Sequence, residues 1–152
     1  MSEKVKEQIE IKSYHIDVGL GKRILKNRFE IDSVKIKSER HKNKIASEIK
    51  FKERRESIDL DIYFENDKLL MIKTTEYSPK FKSYENAIQV TFIYFHNGIK
   101  IDQKIRTGIP KGLSGIGFPK DFDSYKAYGY DKNFTPELIM EISNQIIEQT
   151  AK

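Results

Sequence analysis

The glycine-rich residues 112–117, flanked by Lys111 and Lys120, are the part of the sequence that comes nearest to a ligand-binding loop. Glycine backbone can present several N–H groups to an anion, so this segment could hold a phosphate. Its spacing matches neither the Walker A pattern nor the Rossmann pattern, and no predicted helix opens directly after it. The competing interpretation is a long irregular loop that needs glycine for positive φ angles. We therefore predict no cofactor.

Aromatic side chains follow the glycines, interleaved with lysines, between residues 118 and 134. Such rings could stack on the bases of a single nucleic acid strand, or form the centre of a protein interface, where tyrosine beside charge is common. They could also hold the loop on the sheet, which we favour for the phenylalanines. The residues that we predict to bind a partner are Lys111, Lys120, Tyr125, Tyr128 and Tyr130.

Residues that could support catalysis or bind a metal are scattered. The three histidines are far apart and lack any metal-binding spacing, and Ser114 does not lie in a Gly-x-Ser-x-Gly elbow. The aspartate pairs 59/61 and 121/123 are expected to be solvated. The chain has no cysteine, which excludes thiolate sites and disulfides. We predict no catalytic residue and no metal site.

The first third of the chain is basic: residues 1–55 hold 16 Lys/Arg and 9 Asp/Glu, a net charge of +7, whereas the whole chain has a net charge of +5. If strands 29–37 and 43–52 lie side by side, their lysines share one face of the sheet, which would suit a polyanion. Acidic residues at 30, 32 and 48 would interrupt this stripe. No base-reading motif accompanies it. The predicted polyanion-binding residues are Lys35, Lys37, Lys44, Lys50 and Lys52.

Alternation of apolar and polar residues predicts strands along most of the chain. The pattern predicts a first strand over residues 9–18 and a second over 29–37, each with a slip in phase. A polar stretch at 37–43 is expected to be a loop. Strands over 45–51, 58–64 and 69–75 then form a meander, with a short helix as the alternative reading of the first of them.

The second half of the chain contains the clearest local signals. Residues 88–95 are apolar on both faces, which predicts a central strand, and Asn97-Gly98 is the preferred type I′ hairpin pair. With that turn, His96 should face Ile99 and Tyr94 should face Ile101, and the return strand covers 99–105. Residues 107–133 are expected to be irregular. Thr135 and Pro136 should start a helix over residues 135–150.

The sequence thus predicts one α+β domain over residues 1–152. It should be a predominantly antiparallel sheet of six or seven strands, bent or forming a partly open barrel, with one C-terminal helix packed on it. No apolar run is long enough to cross a membrane, and no signal peptide begins the chain, so we expect a cytoplasmic protein.

We consider three functions. The first is a non-catalytic protein that binds another protein, as inhibitor, immunity factor or adaptor. The second is nucleic acid binding through the basic strands of residues 22–55. The third is a small enzyme or ligand-binding barrel with a glycine-rich lid. Association of copies through sheet edges is a further possibility.

Overall fold

A computed structural model describes residues 3–31, 34–51, 57–77, 88–110, 116–117 and 135–151. Within them the chain forms a mostly antiparallel sheet with a helix near each end. In chain order the elements are α1 (Glu3–Val18), β1 (Leu25–Ile31), β2 (Val34–Arg40), β3 (Lys44–Lys50), β4 (Ile58–Glu65), β5 (Lys68–Tyr77), β6 (Ile88–His96), β7 (Ile99–Pro110), β8 (Ile116–Gly117) and α2 (Pro136–Gln149).

The strands form a simple meander in which every strand pairs antiparallel with its neighbours in the sequence. In the described part of the chain, seven long strands make up the sheet, and the two-residue β8 adds to β7 at one edge. Within the described residues β1 pairs only with β2, so the sheet is not closed into a barrel. The predicted antiparallel α+β fold is therefore confirmed.

One face of the sheet packs against α2, and we call it the α2 face. Three isoleucines of the helix, Ile139, Ile142 and Ile146, are fully or almost fully buried there. Thr135 caps the helix as predicted, because its Oγ1 accepts a hydrogen bond of 3.2 Å from the backbone N–H of Leu138. The helix covers the apolar rows of the strands, which include Ile36, Ile45, Ile49, Ile58, Leu60, Ile62, Ile72, Ile93 and Phe95.

The opposite face carries α1, and we call it the α1 face. The predicted strand over 9–18 is wrong, because these residues belong to a helix. Ile9 is buried against Tyr63 and Tyr94 of the sheet. Ile16 packs beside it, but the other apolar residues of the assumed alternation point to solvent, with Ile11 48%, Tyr14 64% and Val18 69% exposed. Strand β6 is therefore covered on both faces, as predicted.

Two β-bulges shape the sheet where β4 meets β5 and where β6 meets β7. The predicted pair His96–Ile99 is confirmed, and Asn97 and Gly98 both have positive φ, as a type I′ turn requires. Beyond the bulge the predicted register is wrong by one residue, because Tyr94 faces Asp102 and not Ile101.

The remaining boundaries differ from the prediction at three places. The expected single strand 29–37 is a hairpin, in which Ile31 of β1 pairs with Val34 of β2. The expected loop 37–43 is shorter, because β2 continues to Arg40. The expected irregular segment 107–133 contains the end of β7 and the short β8, and its other residues lie outside the described ones. The strands predicted over 45–51, 58–64 and 69–75 are confirmed.

The helices of the described residues are 16 and 14 residues long. Neither combines the length and the apolar character that crossing a bilayer requires.

Candidate functional site

The α1 face carries a trough over strands β1 to β4, beside the region that α1 covers. Its volume is about 460 Å³. Charged side chains of both signs line it, in contrast to the apolar rows on the opposite face of the same strands. These charged lining residues are Lys26, Arg28, Lys37, Glu39, Glu48, Asp59 and Asp61.

Four of the five lysines predicted to form a basic stripe do share this face. Strands β2 and β3 are neighbours, and Lys35 lies directly opposite Lys50. Lys37 and Lys44 follow on the same face, because alternate residues of a strand point to the same side. Lys52 lies outside the described residues.

Carboxylates interrupt this stripe at nearly every step. Glu39 lies opposite Lys26, and Glu30 lies opposite Lys35. Lys37 faces Glu48. Toward the middle of the sheet the acidic side chains prevail. Glu48 lies opposite Asp59 of β4, and Asp61 follows Asp59 on the same face of that strand. Among the lining residues, basic side chains thus prevail on β1 and β2 and acidic ones on β3 and β4, while Lys44 and Lys50 of β3 flank the acidic side.

A compact polar cluster closes the inner end of the trough, where it meets α1. The hydroxyl of Tyr63 donates to both carboxylate oxygens of Asp17, at 2.8 and 3.0 Å. The ammonium of Lys44 lies 2.6 Å from Asp17 Oδ1 and 3.7 Å from Asp61 Oδ1. It also lies 5.1 Å from the centre of the Tyr63 ring, within the range of a cation–π contact. One cation therefore connects the helix to the floor of the trough.

Burial shifts the pKa values of two members of this cluster, Asp61 and Tyr63. It raises the pKa of Asp61, because the low-polarity surroundings disfavour the carboxylate; the positive charge of Lys44 opposes this shift. Burial also raises the pKa of Tyr63 well above its usual range, and the charge of Asp61 and the hydrogen bond to Asp17 add to the effect. The expectation of a solvated Asp61 is wrong, since its side chain is only 21% exposed.

A second cluster holds the N-terminal half of α1 in the same way. The hydroxyl of Tyr94 donates to Glu10 Oε2 at 2.6 Å, and Lys104 Nζ lies 3.3 Å from the same oxygen. Tyr63 and Tyr94 each stand beside one of the bulges. Lys6 adds an ion pair of 2.7 Å with Asp102. The hydrogen bond to Lys6 lowers the pKa of Asp102 below its usual value. Contacts between tyrosine, carboxylate and lysine side chains thus anchor α1 to the sheet at two points.

A polar row also lies inside the α2 face, at the ends of β5 and β6 away from the hairpin tips. Glu76 and Gln89 are both fully buried and opposite each other, and Gln89 Nε2 donates to Glu76 Oε1 at 3.1 Å. The hydroxyls of Thr74 and Ser143 are buried and have no hydrogen-bond partner among the described residues. This row makes the register of β5 on β6 specific, because a slip by one residue would leave a buried carboxylate unpaired.

The residues predicted to bind a partner, Lys111, Lys120, Tyr125, Tyr128 and Tyr130, lie outside the described residues. Of the histidines, His96 is exposed at the hairpin tip, and His41 is half-buried with Nδ1 3.3 Å from the carbonyl oxygen of Gly21. Among the residues that the structure describes, no three histidine or acidic side chains are grouped so that they could hold a metal ion.

Sequence reasoning missed the acidic half of the trough and the cluster at its inner end. The signal for the acidic half was present, because β4 alternates Asp59 and Asp61 with buried residues beside the lysine-bearing β3. The signal for Asp17 was absent, since its position depends on α1 being a helix. Comparison of the chain with protein-family models, with curated proteins and with solved structures finds no match.

Proposed function

We propose that this chain is a protein-binding module whose contact surface is the mixed-charge trough on the α1 face. The observation that carries the proposal is the separation of charge across the trough. Arg28 and Lys37 lie on its outer side, and Glu48, Asp59 and Asp61 lie on its inner side. A partner segment that presents acidic and basic side chains in the opposite order would complement it.

A protein partner fits this surface better than a nucleic acid does. A phosphate backbone offers negative charge only, so its attraction to Lys37 would be opposed by repulsion from Glu48, which lies directly opposite. A polypeptide can place a carboxylate against one and an ammonium or guanidinium against the other. Charge complementarity of this kind gives specificity and fixes the register of an interface.

The inner side of the trough favours a cationic side chain of the partner. Asp61 is mostly buried, and the Lys44 ammonium that faces it is 3.7 Å away and shared with Asp17. A partner arginine or lysine beside Asp59 and Asp61 would form a charge-assisted hydrogen bond with little exposure to water. Binding would then be tighter at neutral pH than in acid, because protonation of Asp61 removes the acceptor charge.

The experiment that tests this proposal uses two charge reversals at one cross-strand pair, Lys37→Glu and Glu48→Lys. The tagged wild-type chain first captures partners from its native host after nuclease treatment, and a captured protein is identified and purified. Its affinity for both variants is then measured by titration calorimetry. Each reversal should weaken binding by about tenfold or more, since each places a like charge against the partner.

Matched controls are Lys100→Glu at a hairpin tip and Glu141→Lys on α2, which are exposed and lie away from the trough. They should bind the partner as the wild type does. Equal affinity of the wild type and both trough variants would contradict the proposal.

Nucleic acid binding is the second candidate, because Lys35, Lys37, Lys44 and Lys50 share one face. The same variants separate the two functions. On a phosphate resin, a polyanion site would lose retention with Lys37→Glu and gain it with Glu48→Lys. A protein site loses affinity with both. Retention that falls steeply with salt and changes in these opposite directions would replace the first proposal with the second. The pair Lys35→Glu with Lys37→Glu should then abolish retention altogether.

A further inference from the structure

The outer edge of β1 presents backbone groups that no other described strand satisfies. His41 N–H donates to the Lys44 carbonyl, and the Arg40 carbonyl accepts from Ile24. Along an antiparallel strand, successive residues point their N–H and C=O groups to opposite sides. Residues 34, 36, 38 and 40 of β2 therefore point toward β1.

Their partners in β1, residues 25, 27, 29 and 31, point back toward β2. Lys26, Arg28 and Glu30 then direct their N–H and C=O groups outward. One hydrogen bond supports this orientation, because the Arg28 N–H donates to the side-chain oxygen of its neighbour Asn27, at 2.9 Å, and not to the ladder. The side chains of Lys26, Arg28 and Glu30 are exposed.

The sequence of this edge is complementary to itself. If a second copy of β1 pairs antiparallel about a twofold axis at Phe29, Arg28 of each copy lies opposite Glu30 of the other. Phe29 then faces Phe29 on the α2 face, and Asn27 faces Ile31. The alternative axis at Arg28 would place two guanidinium groups opposite each other, and like charges at directly opposite positions destabilise a sheet.

We infer that two copies of this chain associate through the outer edge of β1, in the register centred on Phe29. The pairing forms one continuous sheet, since a twofold axis perpendicular to the plane of the sheet keeps the α2 face of each copy on the same side. Two arginine–glutamate pairs and one aromatic pair then form across the new boundary. The Arg28 N–H exchanges its local bond to Asn27 for a ladder bond to the second copy.

Charges on an edge strand can also serve to prevent pairing. That role is best served by like charges, which repel in every register. Here the register centred on Phe29 gives two Arg28–Glu30 pairs and no like-charged pair among these three residues. The register centred on Arg28 also gives two attractive pairs, between Lys26 and Glu30, but it sets the two Arg28 guanidinium groups against each other. The side chains therefore select one pairing over the others.

The test reverses the charge of Arg28 or of Glu30 and measures association by sedimentation velocity, over a range of concentrations at low salt. The wild type should reach about twice its chain mass of 17.9 kDa. Arg28→Glu alone and Glu30→Arg alone should each weaken association by about tenfold or more, because each places two like-charged pairs across the boundary. An equimolar mixture of these two variants should associate again, since the two glutamates of the first variant then face the two arginines of the second.

A backbone variant makes the test independent of charge. Arg28→Pro removes an outward N–H and leaves the bonds to β2 in place, so the monomer should keep its fold and lose association. Circular dichroism and thermal unfolding check the fold. A wild type that stays at 17.9 kDa at its highest soluble concentration would overturn the inference. So would a dimer that is unaffected by Arg28→Pro, or a mixture of the charge variants that does not associate.

Discussion

The hydroxyl of Tyr63 fastens α1 to the sheet, and its removal should cost a measurable part of the stability. Tyr63 is 1% exposed, and its hydroxyl makes two hydrogen bonds to the Asp17 carboxylate, the shorter at 2.8 Å. Replacement by phenylalanine leaves the ring in place, so no cavity forms. The variant therefore isolates the hydrogen bonds from the packing of the ring.

The expected loss follows from the surroundings of Asp17. A hydrogen bond to a charged group contributes about 1.5–3 kcal/mol. Asp17 is 40% exposed and keeps its ion pair with Lys44 at 2.6 Å, so water and this cation compensate part of the loss. We expect Tyr63→Phe to lower the free energy of unfolding by about 1–2 kcal/mol.

Urea unfolding followed by circular dichroism measures this change. The matched control is Tyr14→Phe. Tyr14 lies on α1 itself and is 64% exposed, so this change should alter the free energy of unfolding by less than about 0.5 kcal/mol. A double-mutant cycle of Tyr63→Phe and Asp17→Asn should give a coupling energy of about 1 kcal/mol, because the two side chains form one interaction with each other. If Tyr63→Phe is no more destabilising than Tyr14→Phe, the contact does not hold α1 in solution.

Two further predictions concern pH and the second helix. The pKa values of Tyr63 and Tyr94 are raised above the usual value of about 10, chiefly by burial, so both phenols must ionise when the chain unfolds in alkali. Stability should be fully present below about pH 10 and fall above it, and chemical unfolding of the double phenylalanine variant should show a shallower decline. Ile142→Ala should lower the free energy of unfolding by about 2–5 kcal/mol in the same urea assay, because it opens a cavity under α2. Glu141 is exposed, so Glu141→Ala should change this free energy by less than about 0.5 kcal/mol.

The strands that alternate cleanly were predictable because one of their faces packs against a helix. Residues 58–64 place Ile58, Leu60 and Ile62 in the core and Asp59 and Asp61 on the other face, so the pattern and the burial agree. The C-terminal helix was equally predictable, since its N-cap and its isoleucine stripe both lie within one short segment of the sequence. These elements depend on neighbours in the sequence, and the sequence contains that information directly.

The N-terminal helix was missed because its buried side is narrow and partly polar. Ile9 and Ile16 lie on that side at helical spacing, but Lys6 and Ser13 are buried with them. Lys6 is accommodated by its ion pair with Asp102, a residue far along the chain. Ile11, by contrast, completes an apparent strand alternation and is 48% exposed. Only the tertiary contacts decide between the two patterns.

The site was predictable to the extent that it follows from strand pairing. Once β2 and β3 are neighbours, Lys35, Lys37 and Lys50 must share a face. The cluster at the inner end was not predictable, because Tyr63 and Asp17 meet only after α1 docks across the sheet. The bulge beside Tyr94 likewise shifts the register of the last hairpin by one residue, and no residue type marks its position in advance.

The meander has a consequence for the order in which the chain can assemble. Each strand pairs with the one before it, so the sheet can grow hairpin by hairpin through contacts that are close in sequence, which favours rapid folding. Helix α1 leaves the ribosome before the strands of the sheet, yet Tyr94, which holds its N-terminal half, is 84 residues later than Glu10. During synthesis the docking surface of α1 therefore stays incomplete until β6 and β7, which carry Tyr94 and the partners of Lys6 and Glu10, have emerged.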